Sequence, residues 1–179
     1  YLFTFFDSFL REGKSPDMPE ALIFETGANR WRQFDEWPPK SCTAQQLYLC
    51  ENACLSFEGP VSLAAADSFI SDPHNPVPYS KEISTDWIKE YMTEDQRFVS
   101  NRPDVLDYVS EELQSDITMA GPMRVNLYVS TSGSASDWVV KLVDVYPNDH
   151  KEKPAAQLLV RGEILRGRFR DSYEFPKPF

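Results

Sequence analysis

The chain has 179 residues, 41% of them hydrophobic and 13% aromatic, enough for one globular domain with a sizeable core and too apolar for a disordered chain. Lys and Arg number 18 against 28 Asp and Glu, and the resulting formal charge of −10 lacks the basic footprint that binding nucleic acid or an anionic membrane demands. No apolar run approaches the ~20 residues of a membrane helix and no signal peptide is visible, which leaves the compartment open between the cytoplasm and the periplasm or exterior.

The sequence opens at Tyr1 rather than at Met, inside an amphipathic stretch. Leu2, Phe3, Phe5, Phe6, Phe9 and Leu10 recur at helical spacing across Leu2 to Glu12, which predicts a helix too short to be stable alone. A neighbouring domain outside this chain is therefore expected to cover it, with Phe5, Phe6 and Phe9 as contact residues. Gly13 to Glu20 reads as a proline-bearing linker, and Ala21 to Thr26 as a strand. The dense segment from Asn29 to Pro39 carries Trp31 and Trp37, which we expect to pack on the same neighbour, with binding of a carbohydrate as the alternative.

Cys42, Cys50 and Cys54 are odd in number and close in sequence. They do not form a framework of pairs, and a C-x3-C spacing without a second ligand pair downstream is a poor zinc site, so free thiols and no metal are expected. Up to Ser110 the chain is broken by turn residues into short apolar pieces, Gln46 to Cys50 and Cys54 to Phe57 among them, and a proline-laden loop runs from Asp72 to Tyr79. Ser84 to Met92, with Ser84 or Thr85 as cap, predicts a short helical turn bearing Trp87, Ile88 and Tyr91.

The second half is more regular. Strands are predicted at Val105 to Glu111, Ile117 to Ser130, Trp138 to Tyr146 and Gln157 to Phe169; Val125, Leu127 and Val129 alternate with polar neighbours as on a strand with one buried face. Trp138 to Tyr146 is apolar on both faces and predicts a covered central strand. Within it Asp144 would be a buried charge needing a partner, which Arg161, the first candidate, or Arg166, Arg168 or Arg170 could supply. Arg166, Arg168 and Arg170 alternate and should line one face. Strands joined by turns rather than helices argue for an antiparallel β-sandwich.

Catalytic signatures are missing. His74 and His150 both sit in turn contexts without a neighbouring nucleophile, and Thr131-Ser132-Gly133-Ser134 lacks the following glycine of a nucleophile elbow and reads as a turn. No catalytic residue and no cofactor is assigned.

Several ordered segments carry a resemblance. Glu25 to Arg32 followed by Glu36-Trp37-Pro38-Pro39, then Ser71-Asp72-Pro73 through Tyr79, Asp95-Gln96-Arg97-Phe98, Arg102-Pro103-Asp104, Asp137-Trp138 through Pro147, Val160 to Glu163 and Arg166 to Arg170 together resemble the C-terminal domain of the cocaine esterase, glutaryl acylase and X-Pro dipeptidyl-peptidase group of serine hydrolases. The resemblance implies a mainly β fold, a jelly-roll β-sandwich of galactose-binding-like topology. Residues 1–19 would be the terminal helix and linker of an α/β-hydrolase domain. Residues 20–179 would be the sandwich, short of its last strands. It further implies a non-catalytic accessory domain of an esterase, acylase or peptidase, whose catalytic triad lies upstream. Its partners would be that upstream domain and a second copy in a homo-oligomer, with Trp87, Ile88 and Tyr91 at the rim of the substrate entrance. A carbohydrate-binding or pure oligomerisation module is the alternative.

Overall fold

The computed structural model describes residues 1–13, 17–60, 65–86 and 88–178. The chain divides into two compact units, Tyr1–Gln46 with Leu113–Arg124, and Leu47–Glu112 with Val125–Phe179.

In the first unit, helix α1 (Leu2–Asp7) widens into a π-type turn over Ser8–Glu12 and stops at Gly13, whose φ of 62° is the left-handed conformation that ends helices. Arg11 and Asp7 pair across one turn at 3.1 Å. Strands β1 (Ala21–Glu25) and β2 (Arg30–Phe34) form an antiparallel hairpin, from Ala21 opposite Phe34 to Glu25 opposite Arg30. Gly27 and Asn29 supply the positive φ values of its turn. At the turn end, Arg30 Nε donates to Glu25 Oε2 at 2.8 Å, and this contact, ahead of Arg32, holds the Glu25 carboxyl below its ordinary range.

Gly121, at φ 99°, lies where an added Cβ would come within 3.0 Å of Pro38 Cγ. Both the conformation and the contact oppose a side chain. Gly121→Ala is expected to lower stability by about 1–2 kcal/mol, measurable as a shift of the urea midpoint.

In the second unit, β3 (Tyr48–Cys50) and β4 (Cys54–Ser56) make a short hairpin whose turn places Asn52 and Ala53 at positive φ. Val109 clips onto it: its N–H donates to Ala53 O at 2.9 Å, and its carbonyl oxygen accepts from Leu55 N–H at 3.0 Å. Strands β5 (Asp137–Val145) and β6 (Gln157–Arg166) form the longest ladder, antiparallel, with a bulge that shifts the register between Leu142 and Val143. The loop between them is closed by Tyr146 N–H to Ala156 O and by His150 and Ala155 N–H groups on Pro147 O.

The structure corrects several expectations. Arg30–Phe34 is a strand that was not predicted: a polar-aromatic run reads poorly by alternation, although Gly27 and Asn29 mark the turn before it. Val105 to Glu111 forms only the Val109 bridge, and Ile117 to Ser130 has no ladder partner among the described residues. Among the described residues, the helical turn expected over Ser84 to Met92 is a 3₁₀ turn, Glu90–Met92. Strand β5 is not covered on both faces, since Val139 is 59% exposed and the ladder has two strands. The strand geometry of β6 ends at Arg166, so the arginine alternation breaks there: Arg166 pairs with Asp137, while Arg170 turns back onto Gly167, Lys177 and Pro178 carbonyls.

Candidate functional site: a polar clamp and uncovered aromatic faces

The best-buried groups of the second unit surround the turn at residues 94–99. In this unit Val99 and Ala156 are buried apolar side chains, and Gln96, 3% exposed, and Ser80 are buried polar ones. Asp95 caps the 3₁₀ turn Gln96–Phe98: its Oδ1 accepts from Arg97 N–H at 3.1 Å and from Gln157 N–H at 3.3 Å, while Oδ2 accepts from Arg97 Nε at 2.8 Å. One carboxylate thus ties the turn to the first residue of β6. Gln96 then reaches β5, its Oε1 accepting from Lys141 Nζ at 2.6 Å and its Nε2 donating to Glu94 O at 2.9 Å. The Lys141 ammonium also lies 5.8 Å from the Phe98 ring centroid. Glu94 in turn accepts Lys81 N–H on both carboxylate oxygens at 3.1 Å.

These contacts explain why Asp-Gln-Arg-Phe stands as a block. Hydrogen bonding from Arg97, ahead of the bonds from the Arg97 and Gln157 amides, holds the Asp95 carboxyl below its ordinary 3.8 against the opposing effect of burial. Burial lowers the Lys141 ammonium, with Glu94 opposing. A carboxyl lowered in the folded state adds stability above its ordinary value and loses it as pH falls through the folded one. The destabilisation caused by Asp95→Asn should therefore be largest at neutral pH and fade below about pH 4, where the native carboxyl also protonates; urea titrations at several pH values measure it.

Further groups are held for structure rather than chemistry. Arg102 Nε and Nη2 clasp both oxygens of Asp104 at 2.8 Å, which holds the Asp104 carboxyl low, and Nη2 also donates to Asn75 O at 2.9 Å. Together with Ile70, Asp72 and Pro103 these residues line an open hollow of about 230 Å³. Asp72 Oδ1 is occupied by His74 N–H at 2.8 Å, and His150 Nδ1 accepts Lys153 N–H at 3.1 Å. Tyr108 donates to Asp67 Oδ2 at 2.6 Å, and burial, then this bond, push its hydroxyl up to about 12.

Asp144 is not a buried charge: it is exposed, opposite Leu158, and the guanidinium of Arg161 meets Glu163 at 3.1 Å instead. The apolar run around Asp144 suggested burial, but with one ladder partner the outer strand face stays in water. Of the rim residues, Trp87 lies outside the described residues. Ile88 is half-buried, and Tyr91 stacks on Tyr79 with centroids 4.9 Å apart. Burial, then a hydrogen bond shared with Tyr91, push the Tyr79 hydroxyl up.

The aromatic residues assigned to a neighbouring domain are uncovered. Phe5, Phe6 and Phe9 are 40–52% exposed, with Phe5 against Phe6 at 5.4 Å and Phe9 at 4.9 Å. On the β1–β2 hairpin Trp31 is 65% exposed against Phe24, and Trp37, 41% exposed, packs on Phe34.

Among the described residues these contacts form an assembly of polar ties. The model of the X-Pro dipeptidyl-peptidase C-terminal non-catalytic domain matches residues 15–179. The chain belongs to that family. The domain is 30% identical to cocaine esterase from Rhodococcus sp. (strain MB1 Bresler), over 97% of this chain and 31% of that protein. It is similar to the solved structures of an aminopeptidase from the marine sediment archaeon Thaumarchaeota archaeon, at 36% identity, and of an α-amino acid ester hydrolase, at 37%. Both superpose with a TM-score of 0.83 over 99% of this chain and 30% and 31% of theirs. The domain thus spans about a third of the length of these relatives, and in them it is part of a larger hydrolase. Its fold class is mainly β and antiparallel, a β-sandwich with one short N-terminal helix.

Proposed function

We propose that this domain is the accessory part of a serine acyl hydrolase acting on ester or amide bonds, docked on an upstream α/β-hydrolase domain that carries the catalytic triad. The observation that carries this reading is the uncovered aromatic set of Phe5, Phe6, Phe9, Trp31 and Trp37. Uncovered rings on this scale mark an interface, and a partner accounting for the remaining two thirds of a relative's length supplies the occupant.

In this reading residues 1–19 end the hydrolase domain, and the stretch bearing Trp87, Ile88 and Tyr91 shapes the substrate entrance. The Tyr79–Tyr91 stack gives that rim a rigid aromatic edge suited to selecting among acyl groups. The domain binds and orients; it performs no bond cleavage. The isolated chain is expected to turn over neither a chromogenic ester nor an anilide, and joining it to its upstream domain to give activity. Turnover by the isolated chain overturns the assignment.

A further inference from the structure

Cys50 and Cys54 are free thiols that face each other as register partners where β3 and β4 meet their turn. Directly opposed residues of an antiparallel pair have Cα atoms about 4.5 or 5.5 Å apart, and their side chains leave the same face of the hairpin. Both separations fall within the range of about 4.4–6.8 Å that a disulfide spans. Each thiol is half-buried, so a small reagent has access. The hairpin is also anchored: Val109 holds Ala53 O and Leu55 N–H on either side of Cys54, fixing the backbone that presents it.

We propose that Cys50 and Cys54 are a redox pair, closing reversibly into a cross-strand disulfide by exchange with a low-molecular-weight disulfide such as oxidised glutathione. One cysteine thiolate attacks the small disulfide, releases one small thiolate and becomes a mixed disulfide. The other cysteine's thiolate then attacks the protein sulfur of that mixed disulfide and displaces the second small thiolate. Two cysteine thiols are oxidised, one small disulfide is reduced to two thiols, and the two cysteine protons end on the released thiols.

The site sets its own rate. Burial pushes the Cys50 thiol up from its ordinary 9.0, and the neighbouring Cys54 and Glu51 add to it. Since the thiolate is the nucleophile, attack by Cys50 is slow at neutral pH and accelerates as pH rises. The closed loop is short, so the bond constrains little of the unfolded chain and its effect is local, on the hairpin and the Val109 segment clipped to it.

The test uses the full-length protein, reduced and freed of reductant, then exposed to oxidised glutathione. Remaining thiols are blocked with N-ethylmaleimide and the peptides mapped by mass spectrometry. The expected product is a Cys50–Cys54 bond, formed up to about tenfold faster per pH unit above neutrality, with exposed Cys42 outside it. In C50S, Cys54 should retain glutathione that never resolves. A trivalent phenylarsenical, which needs two adjacent thiols, should stay bound to the reduced wild type and be lost from both C50S and C54S. Blocked thiols at both Cys50 and Cys54 after excess oxidant, or arsenical retention unchanged in C50S, overturns the proposal.

Discussion

Replacing Gln96 by leucine is expected to lower unfolding free energy by about 2–3 kcal/mol, read from urea unfolding. The volume change is small and the hydrophobicity rises, so packing alone predicts little loss. The cost comes from Lys141. Its ammonium extends from β5 to Gln96 Oε1 at 2.6 Å in a half-buried position, and leucine offers no acceptor. A hydrogen bond to a charged group contributes about 1.5–3 kcal/mol, and a stranded buried donor costs its desolvation as well. The same reasoning predicts the rescue: in the Gln96→Leu/Lys141→Met double variant both polar partners are gone, and most of the loss should be recovered. A double variant as unstable as the sum of its single changes would show that the clamp is not a coupled unit.

Replacing Phe5 and Phe9 together by serine separates the docked from the isolated state. Each ring leaves roughly half of its area uncovered, on the order of 100 Å². Burying that against a partner at about 25 cal/mol per Å² is worth about 2–2.5 kcal/mol per ring. In the full-length protein the pair should therefore lose about 4–5 kcal/mol of domain coupling, seen as a fall in melting temperature and in hydrolase activity. In the isolated chain the rings are already in water, and the same changes should shift stability by no more than about 0.5 kcal/mol per site. Equal effects in both would place the rings in a core of this chain and remove the main support for docking. Trp31→Ala, at a still more exposed ring, should follow the same pattern.

How much of this was legible in advance differs from element to element. Strands β1, β5 and β6 were readable because Leu22 to Phe24, Trp138 to Val145 and Gln157 to Leu165 are rich in strand-forming side chains between turn signals. Helix α1 was readable from the spacing of its phenylalanines. Strand β2 was not, since Arg30, Arg32 and Gln33 hide the alternation and only its pairing with β1 defines it. Ile117 to Ser130 was over-read: alternation shows that a segment suits a strand, but a ladder needs a hydrogen-bonding partner.

The sequence by itself determined the mainly antiparallel β class and the family, because these depend on residue type and order. It also marked the aromatic positions that stay uncovered, since a helix of six residues cannot bury that many rings on itself. Only the tertiary structure decided what the polar residues do. Gln96 lies 45 residues from Lys141 and Asp95 lies 62 from Gln157, and nothing in their spacing announces that one carboxylate and one amide join the 94–99 turn to both β5 and β6. Asp144 makes the same point in reverse. Its apolar neighbours suggested a buried charge, yet burial depends on what covers a strand face, and that information lies in the other elements rather than in the strand.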